Sequence, residues 1–525
     1  MDGHSGSGDT LNLDKSNALD SFSSSEKCTC YAPYLKILLN VWAGCVTVDI
    51  LPNDVFLSIF NFVRVIYADP TRLPNGLTSY TGRRNLVEWR QSWWYPLIHV
   101  CWKWRSVIFA SPNFLDLRLV CVRNTRMELI DIWPPFPIII RNSFLPMPED
   151  YDFDAAIMHR NRVCELDLRL TSLQLERWPS AMRDQFPALT HLGLTFHCES
   201  RDRPLTPTLP DGFLGGSAPN LQSLELNFIP FPALPKLLLT TTQLASLSLQ
   251  NIPHSGYISP EVMVTSLAVL SNLESLAIGF ESPVSYSGRE RRRPLPPTRT
   301  VLPSLTRFEF QGVSEYLEVL VARLDAPLLD YIWIVLFHQL IFDISQFIQF
   351  TRRTTGSIAY NEVRMDFCQF DVRVVFLPQI GTFCKGPNLT IRCRVLEWQL
   401  SSLAQLCTSF SPSIYTVEHL YIYSRSLRSQ WQDDIENVQW LEVFHPFTAL
   451  KNLYVSEKFV QGIVTALQAL IEESLTDVLP ALESVFLEGF QSSGLVQEAI
   501  GQFIAARQLS GHPVAVSPWN KPEGL

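Results

Sequence analysis

The sequence lacks an apolar run long enough to cross a membrane, and it lacks a secretion signal. The longest apolar candidate, 331–342, contains His338 and Gln339 and falls short of the roughly 18 residues that a spanning helix needs. The first residues are polar and acidic, without the basic and apolar regions of a signal peptide. We therefore expect an intracellular protein, in the cytoplasm, the nucleus or both, that does not bind a membrane.

Glycine, charge and paired cysteines are also scarce. The chain has 23 glycines but 36 prolines, so many short elements with abrupt ends are expected. Only 18% of the residues are charged and the net charge is −9, which argues against nucleic-acid binding, because such proteins usually carry a basic surface. The 11 cysteines are scattered and odd in number, so reduced and buried thiols are expected rather than disulfides.

Motifs that mark catalytic and metal sites are missing as well. No HExxH sequence, phosphate-binding P-loop or GxSxG sequence occurs. Cys28 and Cys30 have no second pair at zinc-ligand spacing, and the 10 histidines are scattered. The sequence therefore predicts a non-catalytic protein without a cofactor or a metal ion.

The composition divides the chain into three parts. A disordered tail is predicted at 1–33, because residues 1–27 are rich in Ser, Asp and Gly and poor in aromatics. Residues 34–140 contain short apolar helical segments with a looser insertion at about 64–92. Residues 141–525 contain a recurring apolar pattern.

Three short helices are predicted in the second part. The stretch LPNDVFLSIFNFV, 51–63, has apolar residues at helical spacing, and two further segments follow at 93–101 and 102–110. The last helix should end at Ser111, because a residue before proline disfavours the α conformation. The following alternation, 115–121, predicts a strand. Helices this short with such large apolar faces need a partner to cover them.

This region resembles a known adaptor-binding module. The order LPxDxxxxIF, HVCxxWR and a Ser-Pro stop resembles the F-box, and with FLDLRLV and WPPFPIII it is similar to the F-box proteins abundant in mushroom-forming fungi. The resemblance covers residues 51–140. It implies docking of the helices on the Skp adaptor of an SCF ubiquitin ligase, together with its cullin, and a C-terminal repeat domain that holds a protein substrate.

The adaptor-binding prediction names an exposed apolar face on these helices. In this interpretation Trp104 supplies contact area and Arg105 a charge at the rim. The alternative is that Trp102, Trp104 and Phe62 close a local core of the three helices. The predicted adaptor-binding residues are Leu51, Pro52, Val55, Phe56, Ile59, Phe60, Val100, Cys101, Trp104 and Arg105.

An apolar-x-x-apolar-x-apolar pattern recurs from about residue 160, mostly every 23–33 residues. It resembles leucine-rich repeats of the irregular kind, which implies one strand and one helix per repeat. Ile229 and Ile252 stand where such repeats place asparagine. The segments are VCELDL (163–168), LTHLGL (189–194), LQSLEL (221–226), LASLSL (244–249), LESLAI (273–278), LTRFEF (305–310), LDYIWI (329–334), VEHLYI (417–422), LKNLYV (450–455) and LESVFL (482–487).

The predicted fold class is therefore α/β: a short all-helical F-box followed by an irregular leucine-rich-repeat solenoid. Residues 335–416 match the repeat least, with YNEVRM (360–365) as a tolerable fit. One residue of each strand should point away from the core, between the last two apolar positions.

Two candidate substrate-binding features lie in the repeat region. The outward position of the last three repeats is aromatic, which predicts a stripe that binds a partner: Tyr421, Tyr454 and Phe486. The alternative is that these side chains pack under a C-terminal helix at about 497–509. Arg291, Arg292 and Arg293 lie in a basic run. That run is a solvated loop, a site for an acidic or phosphorylated segment, or a nuclear import signal.

Together these features predict a substrate-recognition adaptor of an SCF-type ubiquitin ligase, a monomer within that complex, with an unknown protein substrate. The alternative is a leucine-rich-repeat interaction scaffold that is not linked to ubiquitination. A third possibility is an enzyme whose motif is not recognisable in the sequence.

Overall fold

The computed structural model describes most of the chain as two compact units, Met1–Leu117 and Arg118–Leu525. The sequence predicts the division between the two parts at 140/141, whereas the structure divides at 117/118. The boundary is earlier because the strands at 119–121 and 138–141 pair with the sheet of the second unit. The described residues are 51–68, 93–121, 130, 132–141, 158–197, 208–283, 298–339, 342–355, 359–378, 386–424, 437–473, 478–489 and 494–520. The predicted tail, 1–33, lies outside them.

Three helices build the described part of the first unit: α1 (Asn53–Ala68), α2 (Tyr95–Ile98) and α3 (Trp102–Ala110). Helix α1 continues past residue 63, so the start of the predicted insertion is helical, while 69–92 lies outside the described residues. Helix α3 has the predicted bounds. Its N-terminus is capped by Cys101, whose Sγ accepts the Trp104 N–H at 3.5 Å.

The strand predicted at 115–121 is shorter in the structure, where only its last three residues are extended. Asp116 takes a φ of 51°, in the left-handed region, so the chain turns there. Leu115 and Leu117 on either side are nevertheless buried. Their alternation therefore reflects burial on both sides of a turn rather than a strand.

A sheet of sixteen strands dominates the described part of the second unit. Its order is β1-β2-β3-β4-β5-β6-β7-β9-β11-β14-β13-β12-β15-β16-β17-β18, while β8 and β10 form a separate parallel pair. The bounds are β1 (Leu119–Cys121), β2 (Ile138–Arg141), β3 (Val163–Leu170), β4 (His191–Phe196), β5 (Ser223–Asn227), β6 (Ser246–Ile252), β7 (Ser275–Phe280), β8 (Thr300–Val301), β9 (Arg307–Gly312), β10 (Leu324–Asp325), β11 (Tyr331–Phe337), β12 (Tyr360–Phe367), β13 (Asp371–Pro378), β14 (Asn388–Arg392), β15 (His419–Ser424), β16 (Asn452–Val455), β17 (Ser484–Leu487) and β18 (Ala515–Pro518).

Helices connect many of these strands, and consecutive helices pack on one another. They give the mixed α/β architecture of a leucine-rich-repeat-like solenoid. Their bounds are α4 (Ser172–Ala181), α5 (Leu234–Leu238), α6 (Pro260–Leu267), α7 (Ser314–Val321), α8 (Ser345–Thr355), α9 (Leu396–Ser409), α10 (Ser411–Ile414), α11 (Asn437–Phe444), α12 (Glu457–Glu473) and α13 (Gly494–Leu509).

The recurring pattern corresponds to burial in every repeat. All ten segments contribute a strand of the large sheet, and in LQSLEL the three apolar positions Leu221, Leu224 and Leu226 are buried. Ile229 and Ile252, which replace the expected asparagine, are buried too. Each follows a residue of positive φ, 58° at Phe228 and 51° at Asn251, so the chain turns and directs an apolar side chain inward.

The least repeat-like segment, 335–416, interrupts the parallel order. After β11 the chain crosses to β12, returns through β13 and places β14 beside β11. Strand β13 is antiparallel to both β12 and β14, whereas the other neighbours in the large sheet are parallel. YNEVRM lies within β12, as its pattern predicts. The repeat pattern therefore continues across a strand that runs the other way.

A buried carboxylate caps the first helix within this segment. Glu318 on α7 accepts the N–H groups of Gln346 at 2.7 Å and Phe347 at 2.8 Å and caps the first turn of α8. Burial raises the pKa of Glu318 from its ordinary 4.5 to about 7, although these hydrogen bonds oppose the shift. The cap therefore titrates near neutral pH.

We predict that the free energy of unfolding depends on pH through Glu318. At a pH between the pKa of Glu318 in the unfolded chain, 4.5, and that in the folded chain, about 7, the folded chain holds a proton that the unfolded chain has released. The free energy of unfolding therefore falls as the pH rises through this range. From about pH 5 to about pH 8, the parent should lose on the order of 1–3 kcal/mol more than Glu318→Gln. Denaturant unfolding across this range measures the difference. Glu315→Gln, an exposed change on the same helix, should keep the parent's profile.

Candidate interaction surfaces

Three aromatic side chains join α1 to α3 in the core of the helical unit. The ring centroids of Phe56 and Trp104 lie 5.9 Å apart, and those of Phe60 and Trp104 lie 5.1 Å apart, both in edge-to-face geometry. All three side chains are buried. The prediction that Phe56, Phe60 and Trp104 lie on an exposed face is therefore wrong, because the two phenylalanines of α1 pack against Trp104 of α3. For Trp104, the alternative of a local core is the correct one.

Other predicted adaptor-binding residues tie the helices together. Arg105 donates from Nε to the Ile98 carbonyl at 3.0 Å and links α3 to the end of α2. Lys103 donates from Nζ to the Leu51 carbonyl at 3.1 Å and fixes the residue before α1. Cys101 is the half-buried cap of α3. Arg105 is exposed.

A second side of α1 is apolar and exposed. Val55, Ile59, Phe62 and Val65 have exposed fractions of 37%, 42%, 64% and 55%, and their spacing of four, three and three residues places them along one side of the helix. We call these four residues the α1 stripe. Pro52 and Val100 are exposed as predicted, and Leu51 is half-buried.

Sequence reasoning missed part of this surface. Phe62 and Trp102 were candidates for the local core, yet both are exposed, Trp102 at 78%. Val65 lies where an insertion was expected. Helical spacing alone shows two apolar sides of α1, and only the position of Trp104 decides which one is buried. The α1 stripe is thus the side that the local core does not use.

The second candidate surface is the open face of the large sheet. In each repeat the residue between the two buried strand positions lies on the other side of the sheet. The register aligns Asp167, Gly193 and Glu225 on β3–β5 and then Ser248 and Ala277 on β6 and β7. On the strands nearest the N-terminus, the open face therefore carries acidic or small residues at this position.

Carboxylates on this part of the open face differ in their surroundings. Glu165 accepts Arg118 at 2.6 Å and Arg141 at 2.5 Å, so its charge is neutralised by two guanidinium groups. Glu225 has no such ion pair in the described part of the chain; burial, with help from Asp167, raises the pKa of its carboxyl. The Glu225 carboxyl is therefore easier to protonate than an exposed glutamate.

At the C-terminal strands the same position becomes aromatic. The register places Tyr421 beside Tyr454 and Tyr454 beside Phe486. Their ring centroids are 4.2 Å and 4.6 Å apart, with interplanar angles of 5° and 8°. The structure thus brings together the three predicted aromatic residues as one stack, which we call the aromatic ladder. All three are half-buried.

The aromatic ladder contacts Trp519, one of the last described residues. Trp519 follows β18, and its ring centroid lies 5.8 Å from that of Tyr454 and 6.2 Å from that of Tyr421. Helix α13 packs on α12 instead. The guanidinium of Arg364 lies 5.7 Å from the Tyr421 ring centroid, and burial raises the pKa of Tyr421. The ladder is therefore uncharged and partly covered.

Several sequence predictions lie beyond the described residues, including the basic run with Arg291, Arg292 and Arg293. Within the described ranges, no group of three or more His, Cys, Asp or Glu side chains could hold a metal ion. No helix in those ranges is long and apolar enough to span a bilayer.

Burial raises the pKa of the Cys121 thiol to about 11 and of the Cys407 thiol to about 12, so both are poor nucleophiles at neutral pH.

Comparison with known proteins adds little to this geometry. No protein-family model matches the sequence, and no curated protein matches it. Among solved structures, the leucine-rich repeat-containing protein LegL7 from Legionella pneumophila is similar with a TM-score of 0.25 and 14% identity, over 70% of this chain and 96% of that one. A likeness at this level carries no argument about function. The repeat architecture rests on the strand register and the buried positions.

We predict that replacing two phenylalanines two positions apart on α1 changes the stability of the helical unit by very different amounts. Phe60→Ala removes a fully buried ring and should destabilise the helical unit by about 3–5 kcal/mol. Phe62→Ala changes an exposed side chain and should stay within about 0.5 kcal/mol. Amide hydrogen exchange of residues 53–66 in the full chain measures both. Equal effects would show that the α1 stripe belongs to the core.

Proposed function

We propose that this protein is the substrate-recognition subunit of an SCF-type ubiquitin ligase. In this proposal the helical unit docks on the Skp adaptor, and the open face of the repeat sheet holds a protein substrate. The observation that carries it is the α1 stripe, an exposed apolar side of a helix whose buried side packs against Trp104.

The α1 stripe has the chemistry of a docking helix. Helices that bind in grooves use anchors at a spacing of three and four residues, and a few large side chains supply most of the binding free energy. Phe62 and Trp102 are the largest exposed side chains of the described helices of this unit. Phe56, Phe60 and Trp104 would then act beneath them by fixing α1 on α3.

The proposed role requires no catalytic group in this chain. A ligase subunit that holds a substrate lysine near a ubiquitin thioester raises the effective concentration of the reacting groups. The cullin-bound partners would supply the chemistry, and this chain would supply two binding surfaces and no cofactor. We propose that it works inside the cell as a monomer within the complex.

The aromatic ladder is the proposed substrate contact on the open face. Stacked rings offer a wide apolar surface at low cost in side-chain entropy, and aromatic residues are enriched where binding free energy concentrates. The ladder is half-buried rather than sealed, so its edges remain accessible. A leucine-rich-repeat scaffold outside ubiquitination would use the same ladder but not the α1 stripe.

We predict that the α1 stripe is required for adaptor capture. The full chain should co-purify with the Skp adaptor at equal stoichiometry, and Val55→Gln/Ile59→Gln/Phe62→Gln should lower the recovery about tenfold or more. Glutamine keeps helix propensity, so α1 should persist in the circular dichroism spectrum.

The matched control for that experiment is Phe114→Gln, which changes an exposed apolar residue of the same unit outside the three helices. It should retain full adaptor recovery. Failure of the folded parent chain to capture the adaptor would instead support the scaffold function.

We also predict that Tyr421→Ser/Tyr454→Ser/Phe486→Ser separates the two surfaces. The variant should retain the adaptor, since the helical unit is unchanged, but lose the proteins that the parent chain holds on the ladder. Quantitative mass spectrometry of parent and variant complexes measures both. Ser248→Ala, at the same register position on β6, is the control. Loss of adaptor and partners together would indicate unfolding.

A further inference from the structure

The last described residues cover the aromatic ladder from within the chain. Strand β18 pairs in parallel with β17, with Phe486 beside Ser517. The next residue after β18 is Trp519, which is only 8% exposed because its ring lies against Tyr454 and Tyr421. The side chain therefore reaches past β17 to the two strands beyond it. A single tryptophan occupies the most apolar part of the open face.

This segment is held by the pairing of β18 with β17 and by two buried side chains. Of residues 514–520, only Val514 and Trp519 are buried, while Ala515, Pro518 and Asn520 are exposed. The backbone is attached where Ala515 N–H donates to Glu483 O at 2.9 Å and Trp519 N–H donates to Leu487 O at 2.8 Å. Segments with few buried contacts open at low free-energy cost. Release of 514–520 should leave β15–β17 paired.

The position of β18 in the sheet makes such release possible. It is the last strand in the order, so it is paired along one edge only. Pro518 within it has no N–H to donate, which is typical of edge strands. Once β18 leaves, the free edge of β17 can accept another extended segment, the mode of β-strand addition.

We propose that Trp519 is an internal occupant of the partner site, and that the partner binds as an extended segment that places its own aromatic side chain against Tyr421 and Tyr454. This inference rests on the proposed role of the aromatic ladder in holding substrate. The chain's own segment, Val-Ala-Val-Ser-Pro-Trp, shows the chemistry that fits: uncharged, extended, with small side chains before the ring.

Competition between the two occupants regulates access. Because 514–520 competes for the ladder, the apparent affinity for a partner equals the intrinsic affinity multiplied by the fraction of chains whose ladder is free. A partner that pairs with β17 and also supplies the aromatic ring replaces both anchors of the segment at once. A partner with only one of these features leaves part of the site unfilled. The device therefore selects for a strand and a ring in one segment.

The test uses the full chain with the segment released by Val514→Ala/Trp519→Ala. The probe is a fluorescently labelled synthetic peptide of residues 513–520, PVAVSPWN, and the readout is fluorescence anisotropy. The peptide should bind the released variant about tenfold or more tightly than the parent chain, in which the site is occupied. The same peptide with Trp519→Ala should not bind, and adding Tyr454→Ala to the released variant should abolish binding.

Ala515→Ser/Asn520→Ala is the matched control, because both residues are exposed in the same segment. It should bind the peptide as weakly as the parent does. A released variant that keeps the parent's thermal transition but does not bind the peptide overturns the proposal. Loss of that transition also overturns it, since the segment would then be part of the core. Adaptor recovery by the same variant reports separately on the proposed function.

Discussion

The repeat strands of the large sheet have to bury alternate apolar side chains on one face while their backbones bond to their neighbours. Leu224 and Leu226 on β5 and Leu247 and Leu249 on β6 meet both conditions at once, because the register aligns them. Apolar burial contributes roughly 25 cal/mol per Å², so a row of leucines repeated along the sheet is its main stabilising term. The other features of the sheet are those this constraint permits.

The constraint acts on one face only, which leaves the open face free to differ along the sheet. At the aligned position it is acidic at Asp167 and Glu225 and aromatic at Tyr421, Tyr454 and Phe486. The helical unit shows the same separation on a smaller scale. Phe60 of α1 closes the core against Trp104, whereas Phe62 projects outward. In both units one side of an element is fixed by folding and the other is available for binding.

The sequence predicts the strands well because burial imposes a period that can be read directly. Each apolar-x-x-apolar-x-apolar segment contributes a strand, and the aromatic ladder follows from the alternation. The side of α1 that packs cannot be predicted, since Phe60 and Phe62 are equally apolar and only the distant Trp104 decides between them. The contact of Trp519 with Tyr421 is likewise set by strand order and by no local pattern. Strand direction is also hidden, because Val372, Val374 and Phe376 on β13 alternate like any parallel strand.

The reversed strand has a consequence for how the sheet assembles. In an uninterrupted solenoid each repeat contacts only its neighbours in the chain, and order can spread one repeat at a time from any point. Here β14 returns to β11 after β12 and β13 have been made, and β15 then joins β12. Strands β11–β14 must therefore form together, as one cooperative block with long-range contacts. On each side of this block, neighbouring strands in the sheet follow one another in the sequence. Local unfolding on one side of the block therefore need not spread to the other side.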